Sequence, residues 1–130
     1  MNVHKSTALI VAALIVPRVG LRLLTRQPKL PEGNTLEQLA GKASHFALYA
    51  LMIGMPASGI AMGLNGKGLP FFGSTIPPLS KPSKEVAQQA FAAHKQAGQV
   101  LTYLVPLHIG AVGFHLAKGQ NILKRIVPGF

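Results

Sequence analysis

The feature that most constrains this chain is where its charges fall. Lys, Arg, Asp and Glu crowd into connecting segments and leave three apolar stretches, roughly Ser6 to Leu24, Ser44 to Leu64 and Ala97 to Ala117. The second and third carry none of the four charged residue types across about 20 residues, the length an α-helix needs to cross the hydrocarbon core of a bilayer. The first is cleanly apolar from Thr7 to Val16 and then meets Pro17, Arg18 and Arg22, so it must either end early or hide its arginines among neighbours and headgroups. The pattern predicts an all-α integral membrane helical bundle with three transmembrane helices, one membrane domain over residues 1–130. A signal peptide built on Lys5 and Thr7 to Val16 is the competing reading of the first stretch; Pro-Arg at the place of a small-x-small cleavage site argues against it.

Composition removes most other chemistry. Charged residues are 12% of the 130, yet 13 Lys and Arg stand against three acids, a formal net charge of +10. These basic residues flank apolar spans and form no soluble basic face with interleaved aromatics, so nucleic acid is not the expected partner. They set topology instead, and they suit anionic lipid or acidic groups of a cofactor. With no Cys, disulfides, thiolate zinc sites, Cys-ligated iron–sulfur clusters, a Cys nucleophile and thioether-attached haem all drop out. Glu32, Glu37 and Glu85 are too few and too scattered for paired-carboxylate hydrolysis or a carboxylate metal cage.

With three spans, Arg18, Arg22, Arg26, Lys29 and Lys42 share a side with Lys118, Lys124 and Arg125, against Lys5, Lys67, Lys81, Lys84 and Lys95 on the other. That bias places the C-terminus on the cytoplasmic or matrix side and the N-terminus outside. Gly66 to Gly73 and Pro77 to Pro82 are expected to form an irregular interfacial loop, because Pro and Gly punctuate them too densely for a long helix.

The five histidines, His4, His45, His94, His108 and His115, all lie within or at the edge of the spans, where ionisable residues are costly enough to be functional by default. His94 and His108 are 14 residues apart, which returns to nearly the same helix face about 21 Å along the axis. Two haems stacked through the bilayer need such a ladder, each imidazole giving a ring nitrogen to iron and a second helix supplying the opposite ligand. Gly98, Gly110 and Gly113 leave room beside it for a flat macrocycle or a close helix. A membrane histidine is also a common hydrogen-bonding helix contact, His115 suits an interfacial place equally, and Gly59-x-x-x-Gly63 reads first as a helix-packing element.

His4-Lys-Ser-Thr-Ala, Arg18-Val-Gly-Leu-Arg22 leading to Pro28 and Pro31, His45-Phe-Ala-Leu-Tyr49, Met55-Pro-Ala-Ser-Gly59, Ala93-His94-Lys-Gln-Ala-Gly98 and Leu107-His108-Ile-Gly110 occur in this order. The ordered set, running from His4 to the basic tail, resembles the bacterial-type cytochrome b561 family, related to the b-type cytochromes of nickel–iron hydrogenases. The resemblance implies a four-helix membrane bundle that holds two b-type haems and passes electrons, often from quinol. This chain starts where the family's second helix would, so its spans are similar to family helices two, three and four. His4 and His94 then match the ligand pair of the outer haem, and His108 matches one ligand of the inner haem, whose partner would lie on the absent helix. His45 matches a histidine near the inner end of the third family helix and is the weakest ligand candidate.

The resemblance thus implies a carrier more than a catalyst: a haem b electron-transfer subunit of a respiratory or other membrane redox complex, in a bacterial or mitochondrial inner membrane. Lipid, other subunits of the complex and quinone are the expected partners. One haem is expected per isolated chain, a second depending on another subunit, because His45 starts its span and so lies nearer in depth to His115 than to His108. The alternative is a structural or assembly subunit that keeps the helix packing and has lost haem.

Overall fold

In the computed structural model, which describes residues 1–126, helix α1 covers Asn2–Leu24, α2 Thr35–Leu64 and α3 Lys84–Ala117. A hairpin of β1 (Leu69–Phe71) and β2 (Ser74–Ile76) joins the last two helices, and a short 3-10 turn, Ile122–Arg125, follows α3. All three helices are long and apolar enough to cross a membrane. Their apolar side chains face outwards: Leu14 is 64% and Leu107 70% exposed, and Leu69 is the one buried hydrophobic residue among those described. In water such a surface would drive aggregation, whereas in hydrocarbon it is the solvent-facing side of the bundle.

The helices begin earlier than hydropathy suggests, because polar caps and not apolar onset set their starts. The Asn34 side chain accepts the Glu37 backbone N–H at 2.8 Å, and Ser83 Oγ accepts that of Val86 at 3.3 Å, each satisfying one donor that a helix start leaves unpaired. Pro17, Pro56 and Pro106 sit inside the three helices without ending them, as neighbouring groups in a membrane bundle allow. Helix α1 therefore continues past Arg18, and Arg22 hides its guanidinium over the Tyr49 ring of α2, 4.9 Å from the centroid.

Helices α2 and α3 are antiparallel and closely packed. Their pairings run in opposite order along the two sequences: Glu37 with Lys118, His45 with His108, Ser58 with His94. Helix α1 packs on α2 and on β1, but among the described residues no Cα of α1 comes within 8 Å of one of α3.

Between α2 and α3 the expected irregular loop is instead, in its first part, an ordered antiparallel hairpin with Leu69 opposite Ile76, Pro70 opposite Thr75 and Phe71 opposite Ser74, while Pro77 to Pro82 forms no helix or strand, as expected. Pro70 does not break it. In this register the backbone of Pro70 points away from β2, so its missing N–H costs no ladder bond. Its carbonyl accepts from Ser6 Oγ of α1 at 3.2 Å, and Ser6 Oγ in turn accepts the Phe72 N–H at 3.1 Å. Gly63 lets the hairpin close onto α2: a Cβ there would collide with the Leu69 side chain.

Candidate functional site

At the end of the bundle where α1 begins, the imidazoles of His4 and His94 face each other, with ring centroids 6.2 Å apart and planes at 83°. They project from α1 and α3, the two helices with no close backbone approach. His94 is held from behind by α2. Its Nδ1 lies 3.0 Å from the Met55 carbonyl oxygen and 3.0 Å from Ser58 Oγ, and Ser58 in turn donates to the same carbonyl at 2.9 Å. A carbonyl only accepts, so Nδ1 carries the proton and Nε2 is left as a free lone pair.

Gly59 clears the space for that ring. A Cβ there would stand 3.4 Å from His94 Cε1, so the first glycine of the Gly59-x-x-x-Gly63 element accommodates an imidazole and the second a hairpin leucine, where plain helix packing was expected. Gly98 faces Met55 Cε, 3.8 Å from where a Cβ would be, and Gly110 and Gly113 look onto open space.

Deeper in the bundle, His45 and His108 bring their ring centroids to 5.6 Å with planes at 65°. This corrects the expected depth of His45. Helix α2 starts at Thr35, so His45 lies roughly 15 Å along the helix from its start and level with His108. His115 is elsewhere, its Nδ1 2.6 Å from Gln120 Oε1. The two pairs differ in the helices they join: the outer rings meet between α1 and α3, whose backbones make no close approach, whereas the inner rings meet between α2 and α3, whose backbones do.

The donor set fits a haem at the outer pair. Two imidazoles that bind one metal from opposite sides, at about 2 Å per bond, hold their centroids roughly 6 Å apart. Metal-bound imidazoles give their other ring N–H to a carbonyl or carboxylate, as His94 does to Met55. Two histidines suffice for an iron whose remaining ligands come from a macrocycle, and no group of three or more His, Asp or Glu suited to a bare metal ion occurs among the described residues.

Three apolar helices carrying paired histidines at two depths define a membrane-embedded helical bundle of the kind that holds a flat redox cofactor between helices. The sequence model of the family described as prokaryotic cytochrome b561 matches residues 1–129, and the chain belongs to that family. It is 26% identical over 128 residues to cytochrome b561 homolog 1 of Escherichia coli strain K12, a match covering 96% of this chain and 73% of the relative. Cytochrome b561 homolog 2 of the same strain is 28% identical over 130 residues, covering 97% and 69%. A protein of Yersinia pestis named as the probable superoxide oxidase CybB is 23% identical over 129 residues, covering 97% and 73%. The family binds b-type haem and transports electrons, so this chain is a membrane b-type cytochrome. Its prokaryotic character selects the bacterial inner membrane over the mitochondrial one.

Sequence reasoning missed the Met55 and Ser58 contacts to His94, although both residues lie in the Met55 to Gly59 motif that carries the family resemblance. It also missed Ser6, 2% exposed, and the stacking of Arg22 on Tyr49. A serine within an apolar span was the signal available for Ser6 and Ser58, since a hydroxyl in hydrocarbon needs a partner.

Proposed function

We propose that His4 and His94 would together hold one b-type haem between α1 and α3, and that the chain carries single electrons through it within a membrane redox complex. The observation that supports this most is the His94 imidazole, its Nδ1 engaged by Met55 and Ser58 and its ring centroid 6.2 Å from that of His4. When bound, the haem supplies a one-electron iron couple. The chain's own residues do the rest. Met55 and Ser58 fix the tautomer and orientation of His94, Gly59 keeps its ring in place, and the apolar faces of the spans lower the local dielectric and keep water away.

The isolated chain holds one haem in this reading. His45 and His108 bring their rings closer than the outer pair, 5.6 Å between centroids, between two helices whose backbones are in contact. A second haem on His108 requires a histidine from outside these three helices, or His45 after α2 and α3 part. Quinone is a candidate exchange partner at the membrane-embedded surface.

A second reading concerns the electron donor. Lys5, Lys67, Lys81, Lys84 and Lys95 gather at the end of the bundle that holds His4 and His94, against Glu85 as the one acid there. That field favours a small anionic donor of the kind named in the Yersinia relative, superoxide.

Absorbance spectra of the purified chain, oxidised and reduced, with haem-to-protein stoichiometry, test the central claim. One low-spin b-type haem per chain is expected, and it should vanish in correctly inserted His94→Leu. No haem would leave the structural-subunit reading standing, and two bis-histidine haems would overturn the single-site assignment. Reduction by superoxide that slows as salt rises would support the anionic donor, and salt-independent reduction would remove it.

A further inference from the structure

The β1–β2 hairpin has no role in holding the histidines, yet its tip is built against local preference. Phe72 and Gly73 form a two-residue turn with φ of 40° and 94°, the left-handed pair that normally selects Asn-Gly. A bulky aromatic at the first position is a backbone outlier of the sort that marks function. Phe71 and Phe72 lie edge to face with centroids 5.2 Å apart, and both are exposed, Phe72 at 62%.

The backbone beneath these exposed rings, by contrast, is fastened. Ser6 Oγ donates to the Pro70 carbonyl and accepts the N–H of Phe72 at the tip itself, Leu69 fills the place left open at Gly63, and the Leu79 N–H donates to the carbonyl of Leu64, the last residue of α2, at 2.9 Å. These ties fix the tip beside the start of α1, the end of α2 and the start of α3. Exposed Lys67, Lys81 and Lys84 surround it in the sequence.

We propose that the Phe71–Phe72 tip is a lipid anchor that enters the bilayer at the boundary between acyl chains and headgroups, with Lys67, Lys81 and Lys84 meeting lipid phosphates. Aromatic side chains collect at this boundary, and neighbouring basic residues add attraction to anionic lipid. Transfer of the rings into lipid offsets the strained turn, which accounts for Phe where Asn would form the same turn without strain. Because Ser6 ties the hairpin to α1 two residues after His4, the anchor also sets the depth of α1 at the outer pair.

The chain contains no Trp, so Phe72→Trp provides a single tryptophan, excited selectively over the two tyrosines, in the full chain reconstituted in vesicles of phosphatidylcholine and phosphatidylglycerol. Phe71→Trp serves if the turn rejects indole. The expected result is blue-shifted emission, shielded from aqueous iodide and lost more strongly to lipids brominated near the headgroup end of the acyl chain than near the methyl end. Emission quenched by iodide and unaffected by brominated lipid would overturn the proposal and leave the tip as a surface for a protein partner. Stronger quenching from the methyl end would overturn it too, by placing the tip deep in the core.

Discussion

The Nδ1 of His94 on α3 lies 3.0 Å from the carbonyl oxygen of Met55 on α2, and that contact decides which nitrogen of the imidazole is free. Helix α2 therefore acts on the outer pair without contributing an imidazole to it. It presents a carbonyl, a hydroxyl and a gap at Gly59, and these three together aim a ring that belongs to its neighbour.

Removing the hydroxyl should loosen the haem without abolishing it. Ser58→Ala is expected to keep a low-spin spectrum and weaken haem retention by roughly tenfold, the lower end of what partners of metal-bound imidazoles contribute. Haem release to an acceptor protein measures it. A rate equal to that of the unmodified chain would show that the Met55 carbonyl alone orients His94.

Position 59 should respond in steps. In Gly59→Ala the new Cβ, 3.4 Å from His94 Cε1, asks the ring to move by a few tenths of an ångström, and the haem signal should survive. Gly59→Leu requires the ring to leave, and the low-spin signal should be lost while helix content by circular dichroism is retained.

The two histidine pairs should behave differently. His45→Leu is expected to leave the haem content of the isolated chain unchanged, because His45 meets His108 within the α2/α3 contact, whereas His4→Leu should remove one axial ligand and the low-spin spectrum with it. Equal losses from the two variants would place the cofactor at the inner pair.

Topology can be read with thiol probes, since the chain has no Cys. Lys5→Cys and Arg26→Cys should label from opposite sides of the membrane, Lys5→Cys from outside. Labelling from one side would mean that α1 does not span.

The Lys118–Glu37 pair, 3.1 Å apart and partly exposed, pins the start of α2 to the end of α3. Lys118→Ala should lower thermal stability by no more than about 1 kcal/mol, and less in high salt. A larger loss would show that the pair sets the register of the two helices and with it the meeting of His45 and His108.

Much of this architecture was legible in single residues. Whether a segment can lie in hydrocarbon depends on the transfer energies of its own side chains, so Ser44 to Leu64 and Ala97 to Ala117 declared themselves, as did the 14-residue interval from His94 to His108 that a single helix fixes. What hydropathy could not supply were the polar extensions of α2 and α3, whose starts at Thr35 and Lys84 follow from the caps Asn34 and Ser83. Nine residues of unforeseen helix, from Thr35 to Ala43, moved His45 from the level of His115 to that of His108. The hairpin stayed hidden for a related reason: the Pro and Gly residues that suggest irregularity are harmless once Pro70 turns its backbone towards Ser6 and Gly63 receives Leu69. By itself, the sequence determined the spans, their number and the order of the histidines, which are properties of one helix at a time. Which imidazole meets which, and which nitrogen is left free, only the tertiary structure decided, because these depend on the register and spacing between helices distant in the chain.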